Sequence, residues 1–485
     1  MRRALSHHGG RVVEHGDADL AALAARSLRD AQQAEADELT HGFHAWPARM
    51  HWAIARRVIR TIDPRGANVL DPFVGGGTTA LEAMLAGARA TGVDLNPLSA
   101  LVARARTSLV LPEASERFVA TARAVSAASI ERVRDRVPTI ADLPKPMLGW
   151  WKPHVLKELA GLREEIEAVE DPWLGAMLRV VLSAIVVKFS EKRADTAADR
   201  EEKRVRKGLV SEFFERKAHE LSLRWAAVLA AAPQEAIEPT LLTGDARELA
   251  RVLGPDYRAD LLVTSPPYGG TYDYVEQHVL RLAWLRLPAG PLESRELGSR
   301  RRTRDARAWD DEVRAMLVSM RDVLREGALA FLVVGDGQVG ARRVDALEQL
   351  KGIAPSAGME ALGAASELKT DWAGGESRQE HVVVMRRPRR DAARAAGPRG
   401  GAGPGPGARS GSGAGPRSGT GPGPGARSGS GAGPRSGTGP GPGPRSGSGS
   451  GPGSRSGTGL GSRSGPGPRS GPRGAGPRGG GRGRG

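Results

Sequence analysis

The sequence predicts an α/β protein. It would have a mainly parallel sheet with helices on both faces, a helical insertion, and a tail that builds no core. Three observations lead there. Short apolar strands alternate with helical segments on either side of one long helical stretch. Between Asn68 and Pro97 the order strand–loop–helix–strand has the spacing of a nucleotide-binding βαβ unit. From Gly397 to Gly485 the composition collapses almost entirely to Gly, Pro, Ser, Ala and Arg, which cannot bury an apolar core.

Each element has a local reason. Residues 18–36 read as helical but polar, within an N-terminal extension to which no function attaches. Pro47 opens a helix through residue 60, with Ile54, Val58 and Ile59 on its apolar side. Residues 68–70 form a strand running into Asp71. A helix rich in Ala and Leu follows over 79–86 and is stopped by Gly87. A second strand at 90–93 ends at Asp94, and Pro97 starts the next helix. Residues 112–236 break the rhythm: Leu156, Leu159, Leu162 and Ile166 recur at helical spacing. The alternation resumes with strands at 240–243, 260–264, 329–334 and 381–385 and a long helix at 311–325.

The net charge of +16 is mostly a property of the tail. Thirteen of the 71 Lys and Arg residues lie there with no acidic residue, leaving 58 cations against 55 carboxylates elsewhere. Nucleic-acid binding by the body must therefore rest on local patches. The tail repeats residues 403–420 as 421–438, a period of 18, and ends in an arginine–glycine run. Such runs bind nucleic acid weakly. The chain has no cysteine, which excludes disulfides and thiolate metal sites. The histidines are scattered without paired ligand spacing, so no metal is expected. The longest apolar run, 180–187, is too short to span a bilayer, and the N-terminus lacks the apolar core of a signal peptide. The expectation is a soluble, cytoplasmic protein without a membrane partner, of unstated oligomeric state.

Two segments carry chemistry. Asp71-Pro72-Phe73-Val74-Gly75-Gly76-Gly77-Thr78-Thr79 follows a strand. Glycines there let backbone N–H groups approach a ligand, and Asp94, 19 residues after Gly75, ends the next strand where a carboxylate accepts ribose hydroxyls. That geometry serves NAD, FAD and S-adenosylmethionine alike. Thr264-Ser265-Pro266-Pro267-Tyr268 follows another strand. The Ser265 hydroxyl and the Pro266 carbonyl are two acceptors for a planar amino group. Two prolines stiffen the turn, and Tyr268 offers a ring to stack on.

Together these segments resemble the S-adenosylmethionine-dependent DNA amino-methyltransferases, which methylate the exocyclic nitrogen of cytosine or adenine. The family carries Asp-Pro-Phe-x-Gly-x-Gly-Thr-Thr and an Asp-, Asn- or Ser-Pro-Pro-Tyr clamp. The resemblance covers residues 41–100 and 240–335 well and the rest poorly. It implies a class I methyltransferase (Rossmann-like) fold and S-adenosylmethionine as cofactor. It further implies cofactor contacts through the loop residues Asp71, Phe73, Gly75, Gly77 and Thr78: Asp71 at the methionine amino group, Asp94 at the ribose and Asp245 near the adenine. The segment Phe43-His44-Ala45-Trp46-Pro47-Ala48-Arg49 resembles the family's His-x-x-Pro-x-Lys/Arg stretch, which places His44 at the methionine end. Ser265, Pro266, Pro267 and Tyr268 become the catalytic clamp. Serine at its first position is the form most associated with cytosine N4. Methylation at cytosine carbon 5 resembles a family with a cysteine nucleophile, which this chain lacks.

On that reading the chain divides into an N-terminal extension (1–39), a cofactor-binding half (40–111) and a helical insertion suited to target recognition (112–236). A catalytic half (237–390) and a disordered tail (391–485) follow. DNA is the expected partner, through the basic run 192–207 or the loop 295–307, which holds six arginines in thirteen residues. RNA is a further partner open to the tail. Tyr272 and Tyr274 line the base pocket or pack in the core. Three alternatives stay open: adenine N6 as the target, an RNA or tRNA base as the substrate, and a non-catalytic nucleic-acid-binding protein of the same fold.

Overall fold

The computed structural model describes residues 10–137, 141–195, 199–369 and 378–389. The tail expected at 391–485 lies outside the described residues.

The chain begins with β1 (Val12–Gly16), α1 (Ala18–Gln33) and α2 (Trp52–Ile59). The βαβ unit follows as β2 (Asn68–Asp71), α3 (Thr78–Leu85), β3 (Arg89–Asp94) and α4 (Pro97–Thr107). Five consecutive helices come next: α5 (Pro112–Arg134), α6 (Lys145–Leu148), α7 (Pro153–Glu167), α8 (Pro172–Val186) and α9 (Leu209–Ala231). The sheet resumes with β4 (Thr240–Thr243), α10 (Leu249–Leu253) and β5 (Ala259–Thr264). Helices α11 (Tyr274–Trp284), α12 (Gly290–Arg295) and α13 (Ala306–Val323) lead to β6 (Leu324–Gly335). A hairpin of β7 (Gly337–Val339) and β8 (Arg342–Val344), then α14 (Ala346–Ile353), β9 (Glu360–Lys369) and β10 (Arg378–Arg386), complete the described chain.

Eight strands form one sheet in the order β1-β9-β10-β6-β5-β2-β3-β4. The five from β4 to β6 run parallel. β10 is antiparallel to both β6 and β9, and β1 is antiparallel to β9 at the edge. This is the α/β arrangement expected of a class I methyltransferase, with helices on both faces. Leu28, Ile54 and Ile59 cover Val263, Phe331 and Val382 on one face. Met316, Leu317 and Met320 cover Leu262, Leu332 and Val383 on the other. Full burial of each such side chain contributes about 1.5–3 kcal/mol. The helices α5 and α7–α9 build a further core with α4 and α11, centred on residues such as Phe118, Phe214, Trp225 and Trp284.

This topology positions the site. β2 connects through α3 to β3 on one side, while β5 pairs with β2 on the other. Open α/β sheets bind ligands in the crevice outside the carboxyl ends of the strands where the order reverses. Asp71 is the last residue of β2 and Thr264 the last of β5, so both chemistry-bearing segments leave the sheet at that point.

The structure departs from the sequence reading in four places. The helix expected from Pro47 begins only at Trp52: Ala48 has φ +52°, which no helix accommodates, and the His51 ring caps the helix by accepting from Ala53 N at 3.2 Å. The N-terminal stretch is no mere extension over its described part. β1 pairs with β9 over Val12–Gly16, and α1 buries Ala24, Leu28 and Ala31. β9 escaped notice because its sequence is rich in Ala and Glu; its strand form depends on neighbours on both sides supplying hydrogen bonds. The small β7–β8 hairpin was also missed. Among the described residues, no helix is long and apolar enough to cross a membrane.

Candidate active site

The glycine-rich loop is built by its own aspartates. Asp71 Oδ1 accepts from Phe73 N at 3.0 Å, turning the chain out of β2. Asp94 accepts from Gly75 N through one oxygen and from Asn96 N through the other, both at 2.9 Å. Gly77 then starts α3 at φ +86°, and a Cβ there would lie 2.9 Å from the Ala103 Cβ, so the residue lets α3 and α4 close on each other.

A second layer holds the loop from behind. Ser99 Oγ donates to the Gly75 carbonyl at 2.5 Å. Arg106, fully buried, donates to the Gly76 carbonyl at 2.8 Å and to the His44 carbonyl. Burial holds the Arg106 guanidinium well below its ordinary value, with Arg49 and Arg224 adding to the effect. Sequence reading missed Ser99 and Arg106. Their only signal was position on the helix after Asp94.

The Ser265–Tyr268 turn, the candidate clamp, joins the same place. Thr264 Oγ1 donates to Asp71 Oδ1 at 2.5 Å, and Thr79 Oγ1 donates to the Val263 carbonyl at 3.2 Å. One cavity is lined by Asp71, Phe73, Gly75, Thr78 and Asp94 from the loop side and by Ser265 and Pro267 from the clamp side. Asp245, Trp46, Tyr274 and Glu296 also line it. Thr78 Oγ1 is buried in this wall without a protein hydrogen-bond partner, at the N-terminus of α3.

Burial dominates the electrostatics. It raises the Asp71 carboxyl from 3.8 to about 6 despite hydrogen bonds from Thr264, Thr79 and Phe73. Asp94 is raised for the same reason, with the Asn96 and Gly75 amides opposing. Glu296 is raised to about 7 by burial, against the Tyr274 amide that it caps. For Asp245 burial also pushes upward, but Arg247 and Arg295 outweigh it and hold the group below its ordinary value. Arg247 Nη2 and Arg295 Nε stand 2.7 and 2.9 Å from Asp245 Oδ2.

Some expected residues stand elsewhere. His44 is buried behind the cavity: its Nδ1 bonds the Ala45 carbonyl at 2.8 Å and its Nε2 lies 2.9 Å from Ser183 Oγ. Burial, with Arg281 and Arg106 nearby, keeps its pKa well below the ordinary value. Trp46, two residues on, reaches the cavity in its place and packs on His278 at 4.5 Å between ring centroids. Gly77 shapes the loop without lining the cavity. Pro266 and Tyr268 do not line it either; Tyr268 directs its hydroxyl to Glu380 Oε1 at 2.9 Å. Tyr274 lines the cavity, and burial raises its phenol well above the usual range.

The two basic stretches differ. Lys192 is buried and donates to the Asp195 carbonyl at 2.9 Å, and Lys203 donates to the Lys192 carbonyl at 2.7 Å. Arg206 pairs with Glu212. Much of that run therefore ties the insertion together. In the 295–307 loop, Arg300, Arg301, Arg302, Arg304 and Arg307 are all exposed.

Comparison with known proteins finds sequence similarity over the segment that holds the loop. The sequence model of the N6/N4 DNA methylase family, described as DNA methylase, matches residues 26–102. The type II methyltransferase M.MvaI of Kocuria varians is 34% identical over 85 residues, which are 17% of this chain and 19% of the relative. The chain thus matches about a fifth of that relative's length. Among solved structures, the rRNA methyltransferase aviRa from Streptomyces viridochromogenes is similar at 14% identity and a TM-score of 0.31, over 76% of this chain and 99% of its own. TrmN from Thermus thermophilus is similar at 14% identity and a TM-score of 0.27, over 70% and 49%. The matched segment contains Trp46, the whole glycine-rich loop and Asp94, and over that segment the chain is similar to the N6/N4 DNA methylase family.

Proposed function

We propose that the protein is a DNA methyltransferase. It moves a methyl group from S-adenosylmethionine to the exocyclic amine of a base turned out of its duplex, with cytosine N4 as the acceptor. One observation carries the reading: the loop residues Asp71, Gly75 and Asp94 share a single cavity with Ser265 and Pro267.

The residues suit the cofactor. The orphaned Thr78 hydroxyl at the start of α3 can meet a carboxylate. Asp94 would hold the ribose hydroxyls and Asp71 the amino group, with Phe73 and Gly75 beside them. Asp245, steadied by two arginines, would serve the adenine end. His44 would act from behind, keeping the segment that carries Trp46 in place. When bound, S-adenosylmethionine supplies an electrophilic methyl on a sulfonium.

The protein's own part is positioning. An exocyclic amine is a poor nucleophile because its lone pair is delocalised into the ring. Ser265 Oγ and the Pro266 carbonyl would accept hydrogen bonds from its N–H groups and hold the nitrogen toward tetrahedral geometry. Pro266 and Pro267 fix φ, so these acceptors are preorganised. Tyr268 stands beside the clamp but outside the cavity wall, and its ring would replace stacking lost on flipping only for a base that reaches past that wall. No covalent enzyme intermediate is required; alignment supplies the rate. The exposed arginines of 295–307 would neutralise phosphates, and the insertion would read sequence.

The test is methyl transfer from labelled S-adenosylmethionine to DNA or tRNA, with the modified base identified by mass spectrometry. N4-methylcytosine in DNA supports the proposal. N6-methyladenine overturns the base assignment, and label in RNA alone, or none, overturns the function.

A further inference from the structure

The Tyr268 ring is seated on a strand far from its own loop. Gly335 ends β6, and a Cβ built on it would come within 2.5 Å of Tyr268 Cε2 and 2.7 Å of Cδ2. The ring therefore lies against a bare backbone. Gly335 and Glu380 are register partners on the antiparallel β6 and β10. The ring thus crosses β6 at Gly335 and ends on the neighbouring strand, where its hydroxyl donates to Glu380 Oε1 at 2.9 Å. Glu380 in turn faces the fully buried Glu367 of β9.

We propose that Glu380 is a positioning residue of the clamp: by accepting the Tyr268 hydroxyl it fixes the ring across Gly335, and so sets the face that Ser265–Tyr268 presents to a planar substrate group. This rests on the reading of those residues as the catalytic clamp. A phenylalanine in the same seat would be held by packing alone and could turn about χ1 and χ2. A charge-assisted hydrogen bond adds direction as well as energy. Burial and the Glu380 carboxylate both push the Tyr268 phenol well above its ordinary value, so the phenol remains a donor. Misplacing a reacting partner by about 1 Å costs on the order of a hundredfold in rate, so a loosened ring should register in turnover.

Five variants of the full chain test this: Tyr268→Phe, Glu380→Ala, Glu380→Gln, the Tyr268→Phe/Glu380→Ala pair and Gly335→Ala. In methyl transfer, Tyr268→Phe and Glu380→Ala should each lower kcat by on the order of tenfold. KM for S-adenosylmethionine should stay within about twofold, and the pair should be no worse than either single change. Glu380→Gln keeps an acceptor oxygen and should restore most of the rate. Gly335→Ala should copy the loss by displacing the ring. A second readout is independent of activity. The chain has only four tyrosines, so ring-labelled tyrosine NMR can resolve Tyr268. Its ring should flip slowly in the parent and in Glu380→Gln, and fast in Glu380→Ala. Parent kcat in Tyr268→Phe and Glu380→Ala, or an unchanged slow ring in Glu380→Ala, overturns the inference. If the parent methylates nothing, the methyl-transfer reading falls and the ring signal alone decides the role of Glu380.

Discussion

Thr264 donates a hydrogen bond from its hydroxyl to the Asp71 carboxylate across 2.5 Å. The bond joins residues 193 positions apart. One ends the strand before the glycine-rich loop and the other immediately precedes Ser265 of the clamp. A change at either end should be felt at both. Thr264→Val, nearly isosteric, removes the donor from a buried carboxylate and should destabilise the fold by about 1–3 kcal/mol. Urea denaturation of the parent and variant measures this.

Asp71 should also leave a signature in pH. Its folded pKa, about 6, exceeds the ordinary 3.8 because of burial. The folded state therefore binds the proton more tightly than the unfolded chain. The stabilisation is fully present below about pH 4 and is lost as pH rises through 6. Asp71→Asn has no such loss. Without cofactor, the variant should gain stability relative to the parent by roughly 2–3 kcal/mol between about pH 4 and 7. Thermal unfolding at a series of pH values reads the difference, and a pH-independent difference would reject the assignment.

Asp94→Ala removes the acceptor shared by the Gly75 and Asn96 amides. It should weaken S-adenosylmethionine binding by at least about tenfold, since each charge-assisted bond is worth about 1.5–3 kcal/mol. Calorimetric titration is the measurement.

Ser265→Ala should separate binding from chemistry. Cofactor affinity should change by less than about threefold, while turnover falls on the order of a hundredfold, as when a preorganised hydrogen-bonding group is deleted from an active site. Parent-like turnover would remove Ser265 from the clamp.

Gly77→Ala should lower stability by about 1–3 kcal/mol. The backbone is left-handed there, and the new methyl would meet Ala103. Chemical denaturation, with cofactor affinity read alongside, checks it.

Much of the site was legible because its signals are local. Asp71, Gly75 and Asp94 lie within one βαβ unit, where spacing along the chain sets spacing in space. Ser265 and the two prolines follow a strand directly. His44 shows the limit of such signals: its segment reaches the cavity, but only packing decides that Trp46 faces it while His44 turns to Ser183, 139 residues away. β1 and β9 were hidden because their strand character depends on each other across the length of the chain.

The sequence by itself determined the chemistry on offer: a glycine-rich turn after a strand, an acidic residue ending the next one, and a rigid Ser-Pro-Pro-Tyr turn, in a chain without cysteine. Backbone preference and residue type suffice for those. The tertiary structure alone decided that the two segments share one cavity, that Asp71 is bound to Thr264, and that Tyr268 is tethered to Glu380, 112 residues on. These follow from the strand order, which sets β5 beside β2 and β10 beside β6. Hydrogen bonds reach only about 3 Å, so a link between distant residues exists only after the sheet has brought them together.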